Sequence, residues 1–255
     1  MKVTFLGTGT SQGVPLIGCD CEVCRSTDEK DKRLRTSIMI EDGGLVFVID
    51  TGPDFRQQML RENVKRLDAV IFTHEHRDHI AGLDDIRAFN FTMNRAIDVY
   101  ADDGVEAALR KMMWYVFSGD KYPGIPEVKM HTINGEPFTI GQTTFIPIQV
   151  FHHKLPVWGF RINDFTYITD ANRIPDEEKK KITGSDVLVL NALRKEKHIS
   201  HFALDEALEV IKELKPKTAY LTHISHQLGK HADVEKELPP HVHLAYDGLK
   251  LVMNN

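Results

Sequence analysis

No stretch of this sequence is apolar over the length a bilayer crossing needs. Its opening residues, Met1-Lys2-Val3-Thr4-Phe5-Leu6-Gly7, read as a β-strand and lack the long apolar core and small-residue cleavage site of a secretory signal. A cytoplasmic protein that needs no membrane is the expectation. Low-complexity linkers, repeats of solenoid period and breaks in composition are also missing, so one domain over residues 1–255 is expected. Long basic insertions are absent as well. With 32 Lys and Arg against 37 Asp and Glu the net charge is −5, which argues against a surface built to hold long nucleic acid. Cysteine is scarce: Cys19, Cys21 and Cys24 are the whole supply. An odd set clustered within six residues points to metal ligation and away from a disulfide framework. Gly7 and Gly9 have neither the spacing nor the strand-to-helix setting of a dinucleotide or triphosphate loop, so no nucleotide cofactor is expected.

What is present describes an ordinary globular chain, 42% hydrophobic and 27% charged. Short β-branched or aromatic runs alternate with amphipathic stretches, and several adjacent runs have no helix between them. This predicts an α/β fold with mixed sheets and helices outside. Strands are expected at Val3 to Leu6, Ser37 to Ile40, Leu45 to Ile49, Ala69 to Phe72, Asp98 to Tyr100 and Thr143 to Val150. Further strands are expected at Val157 to Ile162, Phe165 to Thr169, Val187 to Leu190, Thr218 to Leu221 and Leu249 to Met253. Helices are expected at Pro53 to Asn63, Ile80 to Phe91, Val105 to Phe117, Pro175 to Ile182 and Ala203 to Leu214. The Pro- and Gly-containing stretch from Lys121 to Glu136 reads as a loop.

Thirteen histidines is a large number, and their placement matters more than their count. The apolar run Ala69-Val70-Ile71-Phe72 leads directly into Thr73-His74-Glu75-His76-Arg77-Asp78-His79. A strand ending in H-x-H-x-D-H can gather four ligands on one turn, with His74 and His76 facing one metal and Asp78 and His79 another. Neutral imidazole and carboxylate suit zinc, iron or manganese. The bland alternative, a polar loop with a chance cluster of histidines, does not explain why ligand type, spacing and position after a strand agree.

This segment resembles the defining motif of the metallo-β-lactamase superfamily. The resemblance implies an αββα sandwich of two mixed β-sheets flanked by helices, and it asks for three more ligands in chain order. His152, Asp170 and His223 answer it. The first metal would take His74, His76 and His152, the second Asp78, His79 and His223, with Asp170 bridging. His153 stands beside His152, and strand alternation sends the two to opposite faces; His152 is preferred because it precedes Lys154-Leu155 in the family's pattern. Asp170 has an alternative as the cap of a following helix. The three cysteines lack a fourth ligand for zinc, which His226 can supply, with His231 close by.

A narrower resemblance is to the cyclic-phosphate phosphodiesterases of the carbon–phosphorus lyase pathway, which hydrolyse phosphoribosyl 1,2-cyclic phosphate. It is carried by Gly7-Thr8-Gly9-Thr10-Ser11 with Gly13-Val14-Pro15, the cysteine cluster, Asp50-Thr51-Gly52-Pro53-Asp54, the H-x-H-x-D-H run and Thr222-His223-Ile224-Ser225-His226-Gln227. It implies two active-site ions, zinc or manganese, and one structural zinc on Cys19, Cys21, Cys24 and His226. It also implies that a hydroxide bridging the metals attacks phosphorus, that Asp78 is essential, and that His201 protonates the leaving alcohol. Asp50 can orient a metal-bound imidazole or cap the Pro53 helix. His131, His198, His231, His241 and His243 are read as surface or structural. The expected partner is a small-molecule phosphodiester; a homodimer is compatible with the sequence. The rivals are an RNA-processing nuclease of the same superfamily, a thioester or lactam hydrolase, and a metal-binding scaffold without activity.

Overall fold

The computed structural model describes residues 1–118 and 123–253. Lys121 and Tyr122, at the start of the stretch read as a loop, lie outside the described residues. Strands run in chain order as β1 (Lys2–Gly7), β2 (Ser37–Asp42), β3 (Leu45–Ile49), β4 (Ala69–Ile71), β5 (Ile97–Ala101), β6 (Val128–Thr132) and β7 (Phe138–Ile140). They continue as β8 (Thr143–His152), β9 (Leu155–Ile162), β10 (Phe165–Tyr167), β11 (Val187–Asn191), β12 (Thr218–Thr222), β13 (Val242–Leu244) and β14 (Lys250–Val252). The helices are α1 (Phe55–Arg61), α2 (Arg77–Ile80), α3 (Arg87–Met93), α4 (Asp103–Met112), α5 (Trp114–Phe117), α6 (Asp176–Ile182), α7 (Leu204–Leu214) and α8 (His231–Glu237).

These elements fall into two compact units, each with its own seven-stranded sheet. The first unit takes residues 1–6, 37–134 and 248–255, and its sheet has the order β14-β1-β2-β3-β4-β5-β6. It is mixed: β14 with β1 and β2 with β3 are antiparallel, while β3 through β6 run parallel. The uninterrupted apolar sequences of β3 and β4 suit strands covered on both faces, and Phe47, Val48, Ile49 and all of β4 are fully buried. Val48 and Val70 pack with Leu6, Phe55, Phe72, Leu83, Val105 and Leu109 in the core of this unit.

The second unit takes residues 7–36 and 135–247, with sheet order β13-β12-β11-β10-β9-β8-β7. Strands β10 to β13 are parallel and β7 to β10 form an antiparallel meander. Leu204, Ala207, Ile211 and Leu214 form the buried stripe of α7, which packs on Leu188, Leu190, Ala219 and Leu221. Glu206 accepts the Ala203 N–H at the start of α7, at 2.9 Å.

Three expectations about elements need correction, one being the single helix read from Val105 to Phe117, which is two, α4 and α5, parted at Met113. The single helix read from Ile80 to Phe91 is broken: α2 ends at Ile80, a 3-10 turn covers Leu83–Ile86, and α3 begins at Arg87. The break has a steric cause. Gly82 donates to Thr51 O at 2.8 Å, and a Cβ there would lie 2.0 Å from Gly52 O. The helix end is thus pressed onto the loop after β3, where only glycine fits. The stretch read as a loop from 121 to 136 contains β6, an edge strand whose lone apolar anchors gave too weak a period to read. The short β7 and β13 and the polar α8 were unread for the same reason.

His231 at the start of α8 is structural. Its N–H donates to Asp31 Oδ1 at 2.7 Å, and its Nδ1 accepts from the buried Arg33 at 3.2 Å. Arg33 also donates to Thr8 Oγ1 at 2.8 Å and Ala245 O at 2.6 Å. Burial, with the charges of Arg33 and Lys30, lowers the His231 pKa to about 4. The folded pKa is below the unfolded value of about 6.5, so the unfolded chain binds the extra proton first and stability falls as pH drops from 6.5 toward 4. At pH 5 this group alone removes about 2 kcal/mol relative to pH 8. Urea unfolding at both pH values checks it: His231→Asn, which keeps an acceptor for Arg33, should lose that much less stability on acidification than the wild type. Equal losses in both proteins would contradict the assignment.

Candidate metal centre

In the first unit the candidate ligands sit beyond the carboxyl ends of parallel strands, the usual place for a site in such sheets. β3 leads into Asp50, and β4 leads through Phe72 and Thr73 into His74 and His76, with Asp78 and His79 in the first turns of α2. Asp50 is fully buried and stands in the left-handed region at φ 66°. Its Oδ1 accepts the Thr73 N–H at 2.9 Å; its Oδ2 accepts the Thr73 hydroxyl at 2.8 Å and His79 Nδ1 at 2.7 Å. Because Thr73 spends its proton on Asp50, its oxygen is left to accept from His74 Nδ1, 3.0 Å away. One carboxylate therefore fixes the proton of two imidazoles on Nδ1 and leaves each Nε2 with its lone pair. Burial pushes the Asp50 carboxyl up, opposed by His79 and Thr73. Helix α1 starts at Phe55, so the orienting role of Asp50 is the one the geometry supports over capping.

The rings follow from this anchoring. His74 lies 4.6 Å from His76 and 4.2 Å from His79 between centroids. His79 Nε2 is 3.2 Å from Asp78 Oδ2, about the separation of two ligands that share one ion with bonds near 2.1 Å. Asp50, Thr73 and His79 are thus one device; Thr73 had no sequence signal beyond its place before the first histidine.

In the second unit, β8 carries His152 as its last residue and the turn to β9 puts His153 exposed at φ 57°. His152 Nδ1 donates to Ser200 O at 2.8 Å, so its Nε2 is again the unprotonated nitrogen. This places His152, and not His153, beside Asp170 and His201: ligand atoms of these three lie within 4.8 Å of one another. Asp170 and His223 follow the ends of β10 and β12 with left-handed φ of 54° and 55°; Asp170 Oδ1 is 3.0 Å from His223 Nδ1. The next helix after Asp170 starts only at Asp176, with Pro175 just before it, so Asp170 does not cap it. Asn191 holds the turn, donating to Ala171 O at 2.9 Å and accepting the Ala171 N–H at 2.7 Å. Sequence reading missed Asn191 and Ser200; a polar residue closing the apolar run Val187-Leu188-Val189-Leu190 was the only hint of the first.

His201 is buried with its ring 4.5 Å from His152 and 4.8 Å from His223, and its Nδ1 makes no hydrogen bond among the described residues. Burial lowers its pKa to about 2, opposed by Asp170.

The cysteines and His226 form a separate group in the same unit. His226 Nδ1 is 3.4, 3.3 and 3.6 Å from Cys19, Cys21 and Cys24 Sγ. Zinc bonds of about 2.3 Å to sulfur and 2.0–2.1 Å to nitrogen give a tetrahedral edge of about 3.5 Å, so this donor set fits a zinc ion. His231 is committed to Arg33 and Asp31 instead. The Cys24 N–H and His226 lower the Cys21 pKa to about 6, whereas burial raises Cys24 to about 11.

A family model described as a beta-lactamase superfamily domain matches residues 46–224. The chain belongs to the metallo-β-lactamase superfamily. Its two mixed sheets with flanking helices are those of the expected fold class. A solved structure described as a new diphosphatase from the PhnP family is 41% identical with a TM-score of 0.93, covering 99% of this chain and 98% of that one. Within the superfamily the chain is therefore PhnP-like. An octanoyltransferase of Porphyromonas gingivalis is 39% identical over all of this chain but only 52% of its own length. Ribonuclease Z of Acaryochloris marina is 30% identical over 64% of this chain and 48% of the relative. The chain spans about half the length of these curated relatives. Groups of His, Cys, Asp and Glu side chains among the described residues could hold metal ions, in keeping with the superfamily match. No helix among the described residues is long and apolar enough to cross a membrane.

Asp50→Asn tests the orienting carboxylate. An amide cannot accept from all three donors, so His79 and His74 lose their fixed tautomers. Metal titration should show affinity in the histidine site weakened about 10- to 100-fold, with the affinity of the cysteine group unchanged. Unchanged affinity would dismiss the role given to Asp50.

Proposed function

We propose that this protein is a metal-dependent phosphodiesterase acting on a small, cyclic phosphodiester, and that His74, His76, Asp78, His79, His152, Asp170 and His223 hold its two active-site ions, zinc or manganese. Cys19, Cys21, Cys24 and His226 hold a structural zinc. The observation that carries the reading is the likeness to the PhnP-family diphosphatase, which covers nearly all of both chains. The Nδ1 anchoring of His74, His79 and His152 supports it, since ligating imidazoles need that proton placement.

Divalent ions held by these residues would supply positive charge beside phosphorus and would lower the pKa of water toward neutral. The chain's own residues do the rest. Asp50 and Thr73 hold the rings at fixed orientation, Ser200 holds His152, and the buried His201 is an imidazole able to give a proton to the departing oxygen. In the free protein burial keeps His201 neutral. A phosphodiester anion beside it offsets the desolvation cost of protonation, so His201 gains its proton with substrate.

The ribonuclease Z relatives give the rival reading its support. Against it stand the net charge of −5 and the lack of a long basic insertion. The octanoyltransferase name belongs to a protein roughly twice as long and is not carried to this chain.

Metal-replete protein assayed on phosphoribosyl 1,2-cyclic phosphate, 2′,3′-cyclic nucleotides, a linear dinucleotide, precursor tRNA and a thioester should open a cyclic phosphodiester fastest. Inactivity on every phosphoester would overturn the proposal. Asp78→Ala should lose at least about 100-fold in turnover with an unchanged far-ultraviolet spectrum. His201→Asn should lose about 10²- to 10⁴-fold on substrates with alkoxide leaving groups and far less with p-nitrophenolate, which departs without a proton. An equal loss on both substrates would remove His201 as the acid.

A further inference from the structure

The sequence offers His198 as one more loop histidine in a basic patch, yet the structure holds it firmly. It lies half-buried between β11 and α7, its ring 5.2 Å from that of His201 at 34°. The Ser200 N–H donates to its Nδ1 at 3.3 Å, and the Ser200 hydroxyl lies 3.2 Å from the same nitrogen. An amide N–H can only donate, so His198 Nδ1 is the acceptor nitrogen and the ring proton is on Nε2. The Ser200 carbonyl meanwhile accepts from His152 Nδ1 at 2.8 Å. One serine thus orients His198 by its amide and His152 by its carbonyl, and His201 follows it directly in the chain. Burial, with the charge of Arg194, lowers the His198 pKa from its ordinary value and so favours the neutral ring.

We propose that His198 is a substrate-positioning residue whose Nε2–H donates a hydrogen bond to a phosphoryl oxygen of the substrate beside His201. This rests on the phosphodiesterase reading above and extends it by one ligand contact. A neutral donor suits the place. It steadies an anionic oxygen without adding a fixed positive charge next to His201, whose protonation such a charge would oppose.

The two ring nitrogens have different jobs under this proposal, and they can be separated. In His198→Asn the side-chain oxygen replaces Nδ1 and keeps the Ser200 contacts, but nothing replaces Nε2–H. In His198→Gln the longer amide reaches the Nε2 position with an N–H and gives up the Nδ1 acceptor. KM and kcat on the cyclic phosphodiester, and calorimetric binding of inorganic phosphate, should be measured on metal-replete wild type, Asn, Gln and Ala variants of equal metal content. Asn and Ala should raise KM and the phosphate Kd about tenfold, the size expected for one lost hydrogen bond to an anion. Their kcat should stay within about threefold, and Gln should restore KM and Kd to within about threefold of wild type. Rescue by Asn but not Gln would make His198 a loop support only and overturn the proposal, as would a KM and a Kd unmoved in all three. The phosphate Kd series judges His198 even if the wild type turns over no phosphoester, an outcome that would sink the underlying reading and not this contact.

Discussion

A carboxylate buried away from solvent must be matched with donors or it tends to neutralise itself, and Asp50 is such a group. Its two oxygens take the Thr73 amide, the Thr73 hydroxyl and His79 Nδ1. Those three bonds tie the end of β3 to the segment after β4 and to α2, so the parallel register of two buried strands and the tautomers of His74 and His79 are one problem with one solution. The close approach of Gly82 to Gly52 belongs to the same arrangement, because α2 can present Asp78 and His79 only while its last turn rests on the Asp50–Gly52 loop. Enlarging that contact or removing that acceptor would act on the same ligands from different directions.

Backbone strain marks the same places. Asp50, Asp170 and His223, each just past a strand, all stand at positive φ, a conformation that costs a non-glycine residue about 1–2 kcal/mol. Glycine would relieve that cost but would bring no side chain. Three such residues, each bearing a potential ligand or its orienting acceptor, show conformational energy given up to aim functional groups away from the strand direction. In the second unit Asn191 offsets part of this by bonding both backbone groups of Ala171, the residue after Asp170.

Much of this was legible in the sequence. The H-x-H-x-D-H run and the cysteine triplet stood out because ligand chemistry restricts residue type at each point; His152, Asp170 and His223 were picked out by the family resemblance, which also supported His226, and the orienting role open to Asp50 followed from its place at the end of an apolar strand. The core strands were readable because a strand covered on both faces must be apolar throughout. What stayed hidden was held by groups of ordinary type. Thr73, Asn191 and Ser200 act through a hydroxyl, an amide and a backbone carbonyl, which are common everywhere and acquire meaning only from their partners. The break after α2 was hidden because the apolar period continues through Ile80, Leu83 and Ile86 while the steric limit comes from Gly52, some thirty residues earlier. Strand β6 was hidden because an edge strand keeps only part of the alternation that burial enforces.

The histidines of the second unit show how packing divides roles among identical side chains. His231 is buried beside a cation and stays neutral as a fixed acceptor; His152 donates its Nδ1–H to a carbonyl, which makes Nε2 the unprotonated nitrogen; His201 is buried, and its Nδ1 has no hydrogen-bond partner among the described residues. The last is the costly case, since desolvation opposes the protonated ring and neighbouring imidazoles add to that opposition, with Asp170 alone acting the other way. Under the proposed acid role, a group so placed would take up its proton only next to new negative charge, so its charge state would follow the arrival of an anionic substrate and the proton transfer would be kept away from bulk water.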